Sequence, residues 1–376
     1  MSQLKVNTIR HTGASSDAIT LASDGTCTTK TTNKPVHNYI YNGEMQVNQR
    51  GTKTSVNGYG GPDRWKTSVG QAAFTVSQDS EAPPGFKSSL KLDCTTAATL
   101  TGNNSIQIAQ HLEGFDLQGL AAGTSSAKSL TLSFWVRSNK TGVFNTHIYQ
   151  KDGGKLVSQN TTISSANTWE KKTFTVAGNT ADAIANDNTK SLTIEFWLDS
   201  GADNQGGTIT DSWAASASNK YGQGITLDIG DHLDNEFYLT GVQLETGDIA
   251  SDYSYRSYGE ELQRCFRYYY RMTNADTRKY AIAFTDNDDN RMDGFIRFPV
   301  RMRNEPSALE QTGSTGDYEV RLDTTKACSA VPAFNSATED TTLVSFYSNN
   351  HGWGTGALVF IQSASNNSYL AWSAEL

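Results

Sequence analysis

A chain of 376 residues, 36% of them hydrophobic, is long enough for two or three domains and a substantial core without disulfide staples. Aromatic residues recur along its whole length, which excludes a disordered chain. A net charge of −8 with no basic block excludes a nucleic-acid-binding stripe, and no apolar run approaches the ~20 residues of a bilayer span, so no membrane insertion is expected.

Arg297, Arg301 and Arg303 come closest to a basic group, but they interleave with Phe298 and Met302 and read as the solvated side of one strand. Cys27, Cys94, Cys265 and Cys328 lie far apart and form no CxxC pair, so neither a zinc site nor a disulfide framework is expected. They read as single buried thiols of a chain made in a reducing cytosol. The polar start Met1-Ser2-Gln3-Leu4-Lys5 has no apolar stretch of signal-peptide type.

Residues 1–35 hold two short strand patterns, 4–10 and 18–21, around a turn-rich stretch, followed by a polar tail from Thr26 to Thr32. So little apolar surface makes no core alone, and the segment is expected to attach to something larger or to neighbouring copies. Residues 36–256 alternate apolar and polar side chains in many strands, among them Leu130 to Arg137, Trp169 to Val176, Leu192 to Asp199 and Glu236 to Glu245. This predicts one large β-sandwich. The Gly-, Ser- and Asn-rich stretch from Ser200 to Gln223 interrupts it, as a functional loop or as a plain crossover. Residues 257–376 open with a helical signal, Glu260 to Met272, with Leu262 and Phe266 on one apolar side. Short, regularly spaced strands follow, which predicts a second, smaller sandwich. The fold class is therefore all-β, with a single short linking helix.

No catalytic frame is present. His11, His37, His111, His147, His232 and His351 fall in no known triad or metal motif, and Asp228, Asp231 and Asp234 around His232 read as an acidic surface loop. Asp286, Asp288 and Asn290 have the alternate-residue spacing of oxygen ligands to calcium, yet Arg291 and Arg297 stand where a helix-loop-helix calcium loop needs Gly and Glu. A polar hairpin loop fits that run equally. Gly352-Trp353-Gly354-Thr355-Gly356 lacks the Lys-Ser/Thr of a phosphate loop. Its neighbourhood, with Tyr347, Asn349, His351 and Trp353, joins aromatics to amides as a sugar site would. Trp213 and Tyr221 in the long loop extend the same candidate set; the alternative is that Trp353 only closes the β-core.

Asn38-Tyr39-Ile40-Tyr41-Asn42-Gly43-Glu44-Met45, the Trp-centred middle strands and Phe237-Tyr238-Leu239-Thr240-Gly241-Val242-Gln243-Leu244 resemble jelly-roll carbohydrate-binding modules over about residues 38–250. Those modules often place on the closing strand an Asp that helps hold a structural calcium; Gly241 stands near that place here.

A second resemblance covers nearly the whole chain. It rests on Leu4-Lys5-Val6-Asn7-Thr8-Ile9, on 42–51, on Asp63-Arg64-Trp65 and on Leu130 to Arg137. Gly241 to Gly247, 258–270, 298–303 with Pro306, and Ser373-Ala374-Glu375-Leu376 complete it. In these pieces the chain resembles tail-fibre-like virion proteins of marine bacteriophages of the cyanophage type. The resemblance implies a tail fibre made in the host cytoplasm and carried on the virion, a homotrimer attached to other phage tail proteins through residues 1–35. It implies host attachment through cell-surface glycan or lipopolysaccharide, and no enzymatic activity or cofactor. The alternatives are a non-receptor virion component (head fibre, decoration or adaptor protein) and a polysaccharide depolymerase.

Overall fold

The computed structural model describes residues 6–10, 12, 18–21, 23, 27–29, 37–54, 57–273, 278–286, 290–349 and 351–376. Most of segment 1–35, including Leu4 and Lys5 of its first strand pattern, lies outside the described residues. Its described parts pair as a small three-stranded sheet of Thr8–Ile9, Ile19–Leu21 and Cys27–Thr29. The third strand falls in the stretch expected to be a polar tail.

The chain is all-β, as its alternating pattern predicts. Two antiparallel sheets face one another between residues 53 and 246. One runs in the order Glu170–Val176, Leu130–Ser138, Glu236–Thr246, Ser89–Thr96, Ala73–Asp79, Lys53–Thr54. The other runs Ala214–Ala215, Lys155–Ile163, Gly142–Gln150, Lys190–Ser200, Ser105–Glu113, Lys66–Val69, Gly58–Tyr59. Leu130, Leu132, Phe134 and Val136 of one sheet and Leu192, Ile194, Phe196 and Leu198 of the other are buried in a common core. Phe134 meets Phe196 edge-to-face at 4.8 Å, and Phe144 meets Phe237 at 5.7 Å.

The hairpin Gly142–Gln150 and Lys155–Ile163 is not apparent from the sequence, although it lies well inside the second sheet. Its Phe144, Ile148, Val157 and Ile163 enter the core, with Thr146 and Thr161 bonded to each other at 2.9 Å in the same phase, but its other phase is polar: Asn145, His147 and Ser158, all buried. They are buried because the segment 201–223 folds back over this sheet. Ser158 N–H donates to the Thr210 carbonyl at 2.9 Å, and Asn145 Nδ2 donates to the Tyr221 carbonyl at 2.9 Å. The long loop is an ordered cover.

Residues 269–376 build a seven-stranded sheet in the order Thr325–Ala327, Tyr318–Arg321, Leu358–Ser363, Lys279–Thr285, Arg291–Arg297, Thr341–Tyr347, Ala330–Ala337. A three-stranded sheet of Tyr269–Thr273, Tyr369–Ser373 and Glu310–Gln311 accompanies it. Tyr280, Met292, Phe298, Tyr318, Phe346 and Trp372 fill a second core. The last strand of the larger sheet carries Pro332, which suits an edge position because proline cannot donate to a ladder on both sides.

The helix spans Tyr258–Phe266, shorter than the expected 260–272, and Tyr269–Thr273 is already a strand paired with Tyr369–Ser373. Ser257 caps it by accepting from the Glu260 N–H at 3.3 Å. Its buried face is Glu261 and Cys265; Leu262 and Phe266 are only half-buried. An ionised side chain is tolerated there because Glu261 accepts from the Asn42 N–H at 2.7 Å and pairs with Arg256 at 3.0 Å. A second short helix, Gly114–Leu117, has no counterpart in the sequence-based reading.

Several residues that are dispersed in sequence meet around this helix. Arg64, fully buried, pairs with Glu375, donates to the His111 carbonyl at 2.7 Å and lies 3.4 Å above the Tyr268 ring. Arg50 pairs with the same Glu375 at 3.1 Å and lies 3.6 Å above Tyr269. Arg267 grips Glu113 through two bonds of 2.8 and 2.7 Å, and Tyr268 donates to the same carboxylate. Arg303 donates to the Ala374 carbonyl at 2.7 Å and the Glu375 carbonyl at 2.8 Å. Trp65, also fully buried, donates to the Asn42 carbonyl at 3.0 Å. Gly43 is required here: a Cβ would sit 2.1 Å from the Val242 carbonyl oxygen. The surroundings of the linking helix are a packed ionic and aromatic junction.

Candidate functional site

The six residues proposed from sequence fall in three places. Tyr347, Asn349, His351 and Trp353 share one turn of the C-terminal domain. Trp353 stacks on His351 with centroids 5.2 Å apart, donates its indole N–H to Asp323 at 3.1 Å and packs against the C-terminal core. His351 is buried and accepts the Trp353 backbone N–H at 3.0 Å. Asn349 is exposed and Tyr347 half-buried.

Trp213 lies at the rim of the sandwich. Its indole donates to the Ala177 carbonyl at 2.7 Å, and the void beside it is about 10 Å³, room for no more than one water. Tyr221 stacks on Trp197 at 5.0 Å and stands over His147 at 5.3 Å. The His147 Nε2–H donates to the Tyr221 carbonyl at 2.9 Å, and burial pushes this imidazole down to about 4, against the opposing pull of that bond. The indoles of Trp213 and Trp353 and the imidazole of His147 are bonded internally and close the structure.

Of the calcium candidates, Asp286 is ion-paired with Arg291, Asp288 lies outside the described residues, and the Asn290 carbonyl accepts the Ser348 N–H at 2.9 Å. Among the described residues no three His, Cys, Asp or Glu side chains converge as a metal-holding group. Asp231 is held by Lys140 at 2.6 Å and Asn235 at 2.8 Å, in keeping with a surface loop.

The outer face of the six-stranded sheet offers a different arrangement. In Leu130–Ser138 the inward phase is apolar, whereas Thr131, Ser133, Trp135 and Arg137 point the other way. Trp135 stands opposite Lys171 on one neighbouring strand and Thr240 on the other. A register shift between Ser133 and Trp135 coincides with Gly241, whose φ is +60°. A Cβ at Gly241 would approach Phe86 to 2.7 Å and Trp135 to 2.9 Å, so glycine keeps this spot open.

The result is a cavity of about 360 Å³ lined by Phe86, Trp135, Tyr253 and Tyr255, with Lys171, Asp252 and Ser133 between them. Tyr253 and Tyr255 meet each other and Phe86 with centroids 5.0–5.7 Å apart. Gln243 pins the segment that carries them: its Oε1 accepts the Ser254 N–H at 2.8 Å, and its Nε2 donates to Ser251 Oγ at 3.2 Å. The wall is thus rigid before any ligand arrives.

Unspent hydrogen-bonding capacity marks this cavity. Trp169, Trp197, Trp213 and Trp353 donate their indole N–H groups to Glu81, Glu195, Ala177 and Asp323. Trp135 is half-buried and donates to no acceptor among the described residues. Lys171 Nζ and the Asp252 carboxylate, both on exposed residues, likewise make no bond within the described protein. An apolar wall with a free donor, a free cation and a free carboxylate can stack on one face of a flat ligand and bond its edge. A second depression, about 470 Å³, is lined by Gln46, Gln78, Asp79, Ser80, Lys87, Ser88 and Tyr258 and has only one aromatic. The sequence held one signal for the Trp135 site: a tryptophan in the polar phase of a strand whose other phase fills the core.

No protein-family model matches the chain, and no curated protein matches it. Among solved structures it is similar to the enzymatically active domain of tailspike protein 4 of bacteriophage CBA120, at 13% identity and a TM-score of 0.30 over 56% of this chain. That likeness spans about a fifth (21%) of the tailspike chain. A sugar-binding protein of Bacteroides thetaiotaomicron is similar at 12% identity and a TM-score of 0.33, over 56% of this chain and 100% of that one. The family 11 carbohydrate-binding module of a Clostridium thermocellum cellulase is similar at 13% identity and a TM-score of 0.27, over 52% of this chain and 95% of that one. At these TM-scores the likenesses carry no argument, and the reading below rests on the chain's own residues.

Proposed function

We propose that this chain is a tail-fibre-like virion protein of a bacteriophage and that its sandwich binds host cell-surface glycan at the Trp135 face. The carrying observation is the cavity in which Trp135, Lys171 and Asp252 keep free polar groups beside four aromatic rings. Pyranose rings present apolar C–H faces that stack on aromatics, and hydroxyls that bond to groups of this kind. Lys171 further suits acidic sugars or the phosphates of lipopolysaccharide. The virion assignment rests on the motif resemblance; several of its pieces, among them Arg50, Arg64, Arg267, Arg303 and Glu375, also meet in the junction between the sandwich and the C-terminal strands. In this reading residues 1–35 join other tail proteins and three copies form the fibre, so weak single sites act together through effective concentration. No catalytic step is proposed.

The test is to present the purified protein to an array of bacterial surface polysaccharides, lipopolysaccharides among them. Binding to at least one acidic or neutral glycan, competed by its free oligosaccharide, is expected. Absence of binding across the array would favour a non-receptor virion component, and release of new reducing ends would favour a depolymerase.

A further inference from the structure

The outer face of the C-terminal seven-stranded sheet is apolar where water would favour polar side chains. Ile282, Phe284, Phe295, Leu358 and Phe360 are 42–63% exposed. Register places them side by side: Ile282 is opposite Phe360 and Phe284 opposite Leu358, while Phe295 stands on the next strand, opposite Leu343. The other phase of the same strands, with Tyr280, Ala283, Ile296, Val359 and Ile361, fills the core. Residues 280–284 and 358–361 are thus apolar on both faces, the pattern of strands covered from both sides. The three-stranded sheet covers one side only.

The five side chains present on the order of 500 Å² of apolar surface, taking roughly 200 Å² for a whole aromatic side chain. That lies in the upper part of the roughly 300–600 Å² found for the largest patch on a monomer, a patch that is often functional. A stable interface takes about 800 Å² from each partner, so the patch supplies the larger part and its rim the rest. The rim carries both signs: Lys279, Arg297 and Arg321, with Asp293 and Glu319. A rotated copy of the same face therefore meets unlike charges and an apolar centre of equal size. The residues stand on inner strands, not on loop tips, so a second sheet can lie about 10 Å above them, as in sandwich packing. A bilayer would have to swallow the charged rim to reach them.

We propose that this face is a self-association surface, covered by the same face of a second copy of this chain. The inference stands on residues other than the glycan site, and this two-fold, face-to-face contact is separate from the three-fold association of the proposed fibre. Sedimentation velocity of the full chain over a wide concentration range tests it. The wild type should associate reversibly, and the Phe284→Asp/Phe295→Asp pair should weaken association at least tenfold while keeping the circular dichroism spectrum and glycan binding. Should that pair misfold, the milder Phe295→Ser, with amide hydrogen exchange of residues 281–285 and 358–361, reads the same contact: exchange should slow as wild-type concentration rises. A wild type that is monomeric at every concentration overturns the proposal, as does an oligomer unaffected by these variants. Monomers that bind vesicles of phosphatidylglycerol through this face would overturn it in favour of a lipid surface.

Discussion

The junction around Arg64 and the face around Trp135 are built from the same materials, aromatic rings set against charged side chains, and they differ in whether the charges are spent. In the junction, Arg64 and Arg50 share Glu375 and lie over Tyr268 and Tyr269, and Arg267 and Tyr268 share Glu113. On the face, the Trp135 indole N–H, the Lys171 ammonium and the Asp252 carboxylate line one cavity and make no bond within the described protein. A buried ionic cluster closed on itself holds parts together; an open cluster with the same chemistry is able to hold something else. The Trp353 turn belongs to the first kind, because its indole is already bonded to Asp323.

Four substitutions break or sharpen that contrast. Glu375→Ala leaves Arg64 buried without a counter-charge and should cost about 3–5 kcal/mol, seen as a lower denaturant midpoint, with glycan affinity of the folded protein unchanged. His147 comes next. Its depressed value means that the neutral ring stabilises the fold, fully above the ordinary value near 6.5 and progressively less as pH falls toward about 4. Urea unfolding at pH 7 and pH 4 should therefore differ by up to roughly 3 kcal/mol from this group, and His147→Gln should remove that part of the slope. Trp135→Ala should weaken glycan binding at least tenfold, about 1.4 kcal/mol, while thermal unfolding moves little. Lys171→Ala should give the smallest change, a few-fold loss that fades at high salt, because the ammonium is exposed.

The all-β class was legible because period-two alternation in strands such as Leu130–Ser138 and Glu170–Val176 sets an apolar core phase against a polar phase on the other side. The hairpin Gly142–Gln150 to Lys155–Ile163 was not, because its polar phase is buried under another part of the chain, and local periodicity cannot report such a cover. The helix was recognisable from Glu260–Glu261 and the Leu262–Phe266 spacing, but its buried face was not: Glu261 goes inward because Asn42, distant in sequence, and Arg256 meet it. The site suffered from the same limit. Trp213, Tyr221 and Trp353 stood out as aromatics in polar loops, yet each is a cap whose partners come from elsewhere. Trp135 looked like one more strand residue, and the ring of Phe86, Tyr253 and Tyr255 around it exists only after folding.

The central claim is that the unspent face, and not the aromatic turn, carries the ligand. Calorimetric titration of one glycan that binds the wild type into Trp135→Ala and Trp353→Ala tests it most directly. The account predicts that Trp135→Ala loses the heat of binding while Trp353→Ala keeps an affinity within about threefold of wild type, less than 1 kcal/mol. Retained binding by Trp135→Ala together with loss in Trp353→Ala would contradict it.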